Sequence, residues 1–583
     1  MSHESSRGPG VPARRSLFAF PTDKFPALTG IRAIAAYLVF FHHYTPSRAV
    51  VSAPVHKFLA EGHVGVTLFY VLSGFLITYI YWESAQELSA KFWLQYMSRR
   101  IARIYPLYLF LLALTFLIPV IVWHDRWPTL PLVFINVTLV KGFFVLFNFT
   151  GIAPSWSLTV EETFYLLAPI LFFVFRKYGP LVVLPLVYAV GGVLELIGTK
   201  SGYYGFFGNF VFVLVYTFFG RAFEFFAGMT LARALLANPE AFRAKGRMPF
   251  TYLGLLGCVL VVYWLSLLQR NGEFGLFHPV GLVLNNFVLP VFACILFRGL
   301  ITEGTVVGRV LASRLFIFLG RSSYAFYLVH YGILTALIQP RLTIANEGIR
   351  LFVLFVLVNL ISSLLFLAVE HPANCAIRRW SDGLAKRIGF RDPTERGRPW
   401  GRHAVGWSCG VAIVFFIWCA VSFDWLRPAL SAIEPAPVGA ALRGGPDLGR
   451  LVSAQTDFSV VTSQVGKVPS LTYTVAGRSI ASDGFIFAHA NSRIVYDISG
   501  LGRSTFEFSS GLDDVGGADL GAVKYVVRGD GRPLLESPVI RALEAPRRYS
   551  VNVAGVRQLE LVVRAAGNGI TSDEAYWIHP VLR

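Results

Sequence analysis

Apolar stretches of about 18 residues or more recur along this chain, and nothing else in it constrains the fold as strongly, because that is the length a helix needs to cross a bilayer. They fall near 27–45, 63–82, 103–122, 158–175, 180–197, 208–235, 251–268, 279–297, 314–338, 349–369 and 404–423. The expected architecture is a polytopic α-helical membrane protein with about ten core transmembrane helices and one extra helix. The apolar stretch from Leu130 to Phe149 differs, since it carries Pro131, Asn136, Lys141, Gly142 and Asn148. Counting it as a crossing puts later basic connections on the wrong side, so it is read as re-entrant or lying at the outer surface, shielded by protein.

A formal charge of +18 would suit a nucleic-acid binder, but its distribution argues otherwise. From Ala441 onward 15 Lys/Arg stand against 14 Asp/Glu, leaving 37 against 20 upstream. The excess clusters in short connections such as 99–103 and 378–402, as cytoplasmic loops do. No basic face with interleaved exposed aromatics implies a nucleic-acid partner. With the N-terminus inside, the connections 91–103, 176–177, 233–247, 298–314 and 378–402 all share the cytoplasmic face. The chain then divides into a cytoplasmic segment 1–26, a membrane domain 27–375, a basic cytoplasmic loop 376–403, the extra helix 404–423, a Pro-rich extracytoplasmic linker 424–464 and a final extracytoplasmic domain 465–583. The five cysteines carry no disulfide framework or metal spacing, and no cleavable signal peptide precedes the first span.

Ionisable groups inside the apolar stretches point to chemistry, because burying them in hydrocarbon is costly. In Leu28 to Tyr44, LTGIRAIAAYLVFFHHY, Arg32 and His43 are eleven positions apart. That offset is close to three helical turns, so both side chains project from one face, about 16 Å apart along the axis. His42 lies about 100° around the helix and reads as structural. Glu161 and Glu162 are adjacent, so at most one of them points along a given face. From about Val465 the pattern changes to short alternating strands such as VKYVVRGDG and QLELVVRAAG, which suggests one all-β sandwich.

Taken in order, LTGIR through His43, GVTLFYVLSGFLIT (65–78), RRIARIYPLY (99–108), SWSLTVEETFYLLAP (155–169), SSYAFYLVH (322–330) and VEHP (369–372) resemble acyltransferase family 3, the integral membrane O-acyltransferases, over about 27–375. The resemblance implies transfer of an acyl group, often acetyl, from cytoplasmic acyl-coenzyme A to a hydroxyl of an extracytoplasmic glycan, in a bacterial cytoplasmic membrane. Its arginine and histidine motif falls on Arg32 and His43, its paired arginines on Arg100 and Arg103, and its acidic residue on Glu161. No tightly bound cofactor is implied, and the oligomeric state is left open.

The residue chemistry fits those expectations. A sugar hydroxyl needs a base as the new bond forms, and an imidazole suits that task, either as base or as acyl carrier. Guanidinium forks at Arg100, Arg103 and Arg32 suit the phosphates of coenzyme A. Glu161 is placed to orient His43, and Trp156, Tyr165, Tyr324 and His330 to line the channel. Basic residues after a span also serve simply as topology determinants. Two other readings stand beside the enzyme: a transporter or flippase of lipid-linked sugar, against which no inverted repeat is evident, and a membrane-anchored glycan receptor.

The tail, including GFIFAHANSRIVYDISG (484–500) and SDEAYWIHPVL (572–582), resembles the NPCBM carbohydrate-binding module, a galactose-binding-like sandwich. That resemblance implies glycan binding. His489, Asn491, Asp513, Asp530, Asp573 and Trp577 are the candidate sugar contacts, although Asp-Gly pairs commonly form turns and a Trp in a terminal strand is commonly core.

Overall fold

The computed structural model describes residues 24–387 apart from a few short segments, and most strands and turns between 448 and 583. The expected extra helix 404–423 and most of the linker lie outside the described residues. Nine helices matter for the site: α1 (Pro26–His43), α2 (Val64–Tyr81), α3 (Ala90–Trp123), α4 (Leu130–Val137), α5 (Trp156–Tyr178), α6 (Phe218–Ala237), α7 (Arg314–Val329), α8 (Glu347–Leu365) and α9 (His371–Arg387).

Among the described residues, eight helical stretches are long and apolar enough to cross a bilayer. Neither α1 nor α7 is one of them. The first carries Arg32 and two histidines, and the second has only 16 residues. Both lie inside the bundle, so their polar faces meet protein.

Local sequence sets the helix ends. Pro26 occupies the first turn of α1, where its missing N–H is harmless. Helix α5 stops at Gly179, whose φ of 75° suits a residue without Cβ, and Pro180 follows. Ser313 caps α7 by accepting from the Phe316 N–H at 3.4 Å, and Asn346 caps α8 by accepting from the Ile349 N–H at 3.0 Å. The basic stretch 91–103, expected as a connection, is instead the first part of α3. Its aromatic residues Phe92 and Tyr96 are buried there, which makes a loop unfavourable. Among the described residues of the ambiguous stretch 130–149 the longest helix is the eight-residue α4, about 12 Å long and too short to cross, followed by a single 3-10 turn, Val140–Phe143. Protein covers it: the Tyr108 hydroxyl donates to the Asn136 carbonyl, and buried Lys141 donates to the carbonyls of Thr150 and Ile152.

Small residues let the helices touch backbone to backbone, as membrane bundles require. A Cβ on Gly320 of α7 would sit 1.8 Å from the Thr29 carbonyl oxygen of α1, and one on Gly65 of α2 would sit 2.1 Å from the Ala35 oxygen. Helix α1 is thereby fixed between α2 and α7.

The C-terminal part is a two-sheet antiparallel sandwich. One sheet orders Arg450–Thr456, Ser492–Asp497, Gln558–Ala565, Ala522–Gly529 and Ile540–Arg541, with Arg532–Glu536 also paired to Ala522–Gly529. The other orders Arg547–Asn552, Thr505–Leu512, Glu574–Leu582, Phe485–His489 and Val460–Val461. The sandwich therefore takes in strands upstream of Val465, where the change in composition had placed its start. Arg450–Thr456 pairs along Ser492–Asp497 and belongs to the sheet although its sequence lacks clean alternation.

Two candidate sugar contacts are structural. Trp577 is fully buried among Phe508 and Tyr525, because the inward face of the terminal strand supplies the core. Asp530 has φ 49°, and its carboxylate accepts from the backbone N–H groups of Arg557 and Gln558, closing the turn with Gly531. Asn491, Asp513 and Asp573, and the side chain of His489, lie outside the described residues.

Candidate active site

The expected site residues separate into two clusters joined by α1 and α7. At one end of α1, Arg32 lies within electrostatic reach of Arg103, Glu161, Tyr165 and Glu370. Among the described residues its buried Nε has no hydrogen-bond partner. Glu161 accepts from the Ser73 hydroxyl at 2.8 Å and the Tyr165 hydroxyl at 3.1 Å. Glu161 therefore belongs with Arg32 and does not orient His43, a correction that follows from which turn of α5 faces α2. Glu162 points elsewhere, as adjacent helical positions must. It lines a half-open cavity of about 210 Å³ with Met97, Ile101 and Tyr105 of α3, Thr138 and Thr163, and its Oε1 is buried without a partner. Arg32 and His43 are not among the residues lining that cavity.

Arg103 forms an ion pair with Glu370 and packs over the Tyr324 ring at 5.4 Å. A π-helical turn, Phe366–Glu370, delivers the carboxylate where α8 passes into α9. With 25% of its side-chain surface still accessible, Arg103 can keep one edge for an anion. Arg100 is held by aromatics instead: Tyr81, Tyr165 and Tyr96 have ring centroids 5.5, 5.6 and 6.0 Å from its guanidinium carbon. Tyr165 thus belongs to this cage, and Tyr324, whose hydroxyl donates to the Ile104 carbonyl, to the support of Arg103.

At the other end of α1, the His43 side chain is exposed, with Tyr331 stacked on its ring at 4.4 Å and His330 at 5.2 Å. His330 is fully buried, its Nδ1 bonds the Tyr327 carbonyl at 2.7 Å, and among the described residues its Nε2 has no partner. His42 bonds the Ala60 carbonyl through Nδ1, as its position around the helix implies, and its ring lies 5.4 Å from His63. His63 is paired at 2.8 Å with buried Glu61, which also accepts from Gln269 and the Gly275 N–H. Trp156 packs against Tyr216 at 4.9 Å and joins neither cluster.

Sequence reasoning missed the Tyr81–Tyr96 cage, the Ser73 contact, Tyr331 and the Glu61–His63 pair. Only Glu370 carried a signal, in the VEHP segment. The arrangement provides buried guanidinium and carboxylate groups at one depth and two imidazoles at another, about three helical turns away.

The peptidoglycan O-acetyltransferase OatA of Listeria monocytogenes is 27% identical over 373 residues, covering 60% of this chain and 55% of that protein. The acyltransferase MdmB of Streptomyces mycarofaciens is 34% identical over 168 residues, covering 26% of this chain and 41% of MdmB. The O-acetyltransferase OatA of Staphylococcus aureus is 29% identical over 166 residues, covering 27% of this chain and 26% of that protein. The chain thus spans about half the length, or less, of the curated relatives it matches. Residues 472–583 match the NPCBM/NEW2 domain. Among solved structures, the CBM51 domain of a Clostridium perfringens GH95 in complex with methyl-galactose is 26% identical, covering 23% of this chain and 94% of that one, with a TM-score of 0.21. Residues 25–368, more than half of the chain, match the acyltransferase family 3 domain, and the chain belongs to that family.

Proposed function

We propose that this chain is a membrane O-acyltransferase that moves an acyl group, acetyl in the simplest case, from cytoplasmic acyl-coenzyme A to a hydroxyl of a cell-surface glycan. The observation that carries the reading is that one helix of a chain in this family holds a half-buried arginine, Arg32, eleven residues from an exposed imidazole, His43. The relatives' names, peptidoglycan O-acetyltransferase among them, supply the substrate class. In this reading the membrane is the bacterial cytoplasmic membrane, the N-terminus is cytoplasmic and the sandwich is outside.

Arg100 and Arg103 bind donor phosphates at the inner face, where charge-assisted forks are strong. Arg32 extends that clamp along the donor toward the pantetheine arm, and its carboxylate neighbours Glu161 and Glu370 hold the guanidinium in place. In direct transfer, the acceptor oxygen attacks the thioester carbon, the C–S bond breaks, and His43 takes the hydroxyl proton and returns it to the thiolate. In the two-step form, His43 attacks the thioester carbon, the C–S bond breaks and the thiolate leaves with the imidazole proton; the hydroxyl oxygen then attacks the acyl-imidazole, the C–N bond breaks and the hydroxyl proton returns to the imidazole. His330, with its free Nε2 beside His43, positions the acceptor hydroxyl. Glycan binding by the sandwich raises the acceptor concentration near the membrane.

The test is a purified-protein assay with labelled acyl-coenzyme A and extracted envelope glycan. Wild type transfers label to glycan, and His43→Ala, still folded, does not. Transfer retained by His43→Ala refutes the role given to His43, and wild-type movement of glycan without acylation removes the acyltransferase reading in favour of a transporter. Removing the whole sandwich, from residue 448 onward, lowers transfer at limiting glycan and leaves it unchanged at saturation. Unchanged transfer at limiting glycan refutes tethering.

A further inference from the structure

The basic pair of α3 is part of a wider basic surface built from two helices far apart in sequence. Helix α9 runs along the basic stretch of α3. The Asn374 amide donates to the Ala102 carbonyl at 3.0 Å, and the Ser98 hydroxyl donates to the Ser381 hydroxyl at 2.9 Å. Residue 374 is thus beside 102, and 381 beside 98, an antiparallel register that brings residue 378 to the level of Arg99 and Arg100. Arg378 is exposed there and lies within electrostatic reach of Arg100, Arg99 and Arg103.

Carboxylates offset this group only in part, Glu162 lying within electrostatic reach of Arg100. Arg103 pairs with Glu370, but among the described residues no carboxylate forms an ion pair with Arg99, Arg100 or Arg378. Asp382, one turn beyond Arg378, makes none with it. Like charges repel when gathered, and two specific interhelical hydrogen bonds nonetheless hold these four together. An anion that spans several guanidiniums removes that repulsion.

The charges are also graded in position. Arg103 is one turn further along α3 and reaches the buried Glu370, whereas Arg378 is at the surface. In coenzyme A the diphosphate adjoins the pantetheine arm, and the 3′-phosphate on the adenosine ribose is the phosphate farthest from the thioester. With the thioester directed along α1, the diphosphate meets Arg100 and Arg103, and the far phosphate falls to the outer arginines. We propose that Arg378, together with Arg99, binds the 3′-phosphate and makes the site selective for coenzyme A over dephospho-coenzyme A. This inference rests on the donor assignment above.

Equilibrium binding of coenzyme A and of dephospho-coenzyme A to the purified full-length protein in nanodiscs tests it. Wild type is expected to bind coenzyme A roughly ten-fold or more tightly, the discrimination one charge-assisted contact supplies. Arg378→Ala should bring coenzyme A down to the dephospho level while leaving dephospho-coenzyme A binding unchanged, which also reports an intact fold. Arg378→Lys should recover part of the preference. A wild-type preference that survives Arg378→Ala, or an equal loss for both ligands, overturns the 3′-phosphate assignment and leaves the donor reading standing. Absence of coenzyme A binding to wild type overturns both.

Discussion

Gly320→Ala probes the link between packing and chemistry, because it adds one carbon where two backbones touch. The new Cβ would lie 1.8 Å from the Thr29 carbonyl oxygen and 2.6 Å from its carbon. An ordinary C···O contact is about 3.3–3.6 Å, so α1 and α7 must part by about 1.5 Å. Both obstructing atoms are backbone, so no rotamer change relieves them. Overpacking of this kind costs about 1–3 kcal/mol. The functional effect is larger: α1 carries Arg32 and His43 while α7 carries Tyr324 and ends just before His330, and a 1 Å misplacement of reacting groups can cost about 100-fold in rate. Gly192→Ala is the matched control, since its Cβ would meet nothing within 4 Å and alanine is the better helix former. The assay is initial acyl-transfer rate with thermal unfolding in the same detergent. A fall of about 100-fold for Gly320→Ala, with near wild-type behaviour for Gly192→Ala, is expected. If Gly320→Ala keeps more than about half the wild-type rate, the argument that α1–α7 contact sets the imidazole geometry is wrong.

Two predictions concern the sandwich. Trp577→Ala should destabilise it by about 3–5 kcal/mol through the cavity left beside Phe508 and Tyr525, read by limited proteolysis or thermal unfolding of the full chain; a change below about 1 kcal/mol would contradict the burial. Hydrogen bonds from Arg493, at 3.0 and 2.8 Å, hold the Glu560 carboxyl below the usual glutamate range. A lowered folded-state pKa means this contribution is present above the unfolded pKa, about 4.3, and is lost as pH falls through the folded value. Glu560→Gln should therefore flatten the sandwich's loss of stability below about pH 4.3, and an acid limb identical to wild type would refute it.

How legible the site was depended on what each residue's role required. The placement of Arg32 and His43 on one helix, three turns apart, was readable because helical periodicity acts along a single segment. The adjacency of Glu161 and Glu162 also foretold their divergence. The role first given to Glu161 was misplaced: helical phase says that it faces inward but not at what depth it meets α1. Trp577 was left between sugar contact and core for a related reason, since alternation in a strand distinguishes two faces without saying which is core. The start of the sandwich was missed because an irregular strand, Arg450–Thr456, is defined by its pairing partner rather than by its own pattern.

Composition and apolar periodicity alone dictated a membrane-embedded helical bundle followed by a β-sandwich, because burial of apolar surface and satisfaction of backbone hydrogen bonds leave few other solutions. Tertiary packing decided the partnerships: Glu370 with Arg103 across 267 residues, three tyrosines around Arg100, and Arg378 brought alongside Arg99 and Arg100. Those depend on where glycine contacts and interhelical hydrogen bonds lock one helix against another. Such contacts join positions hundreds of residues apart, and no local pattern in either helix records its partner.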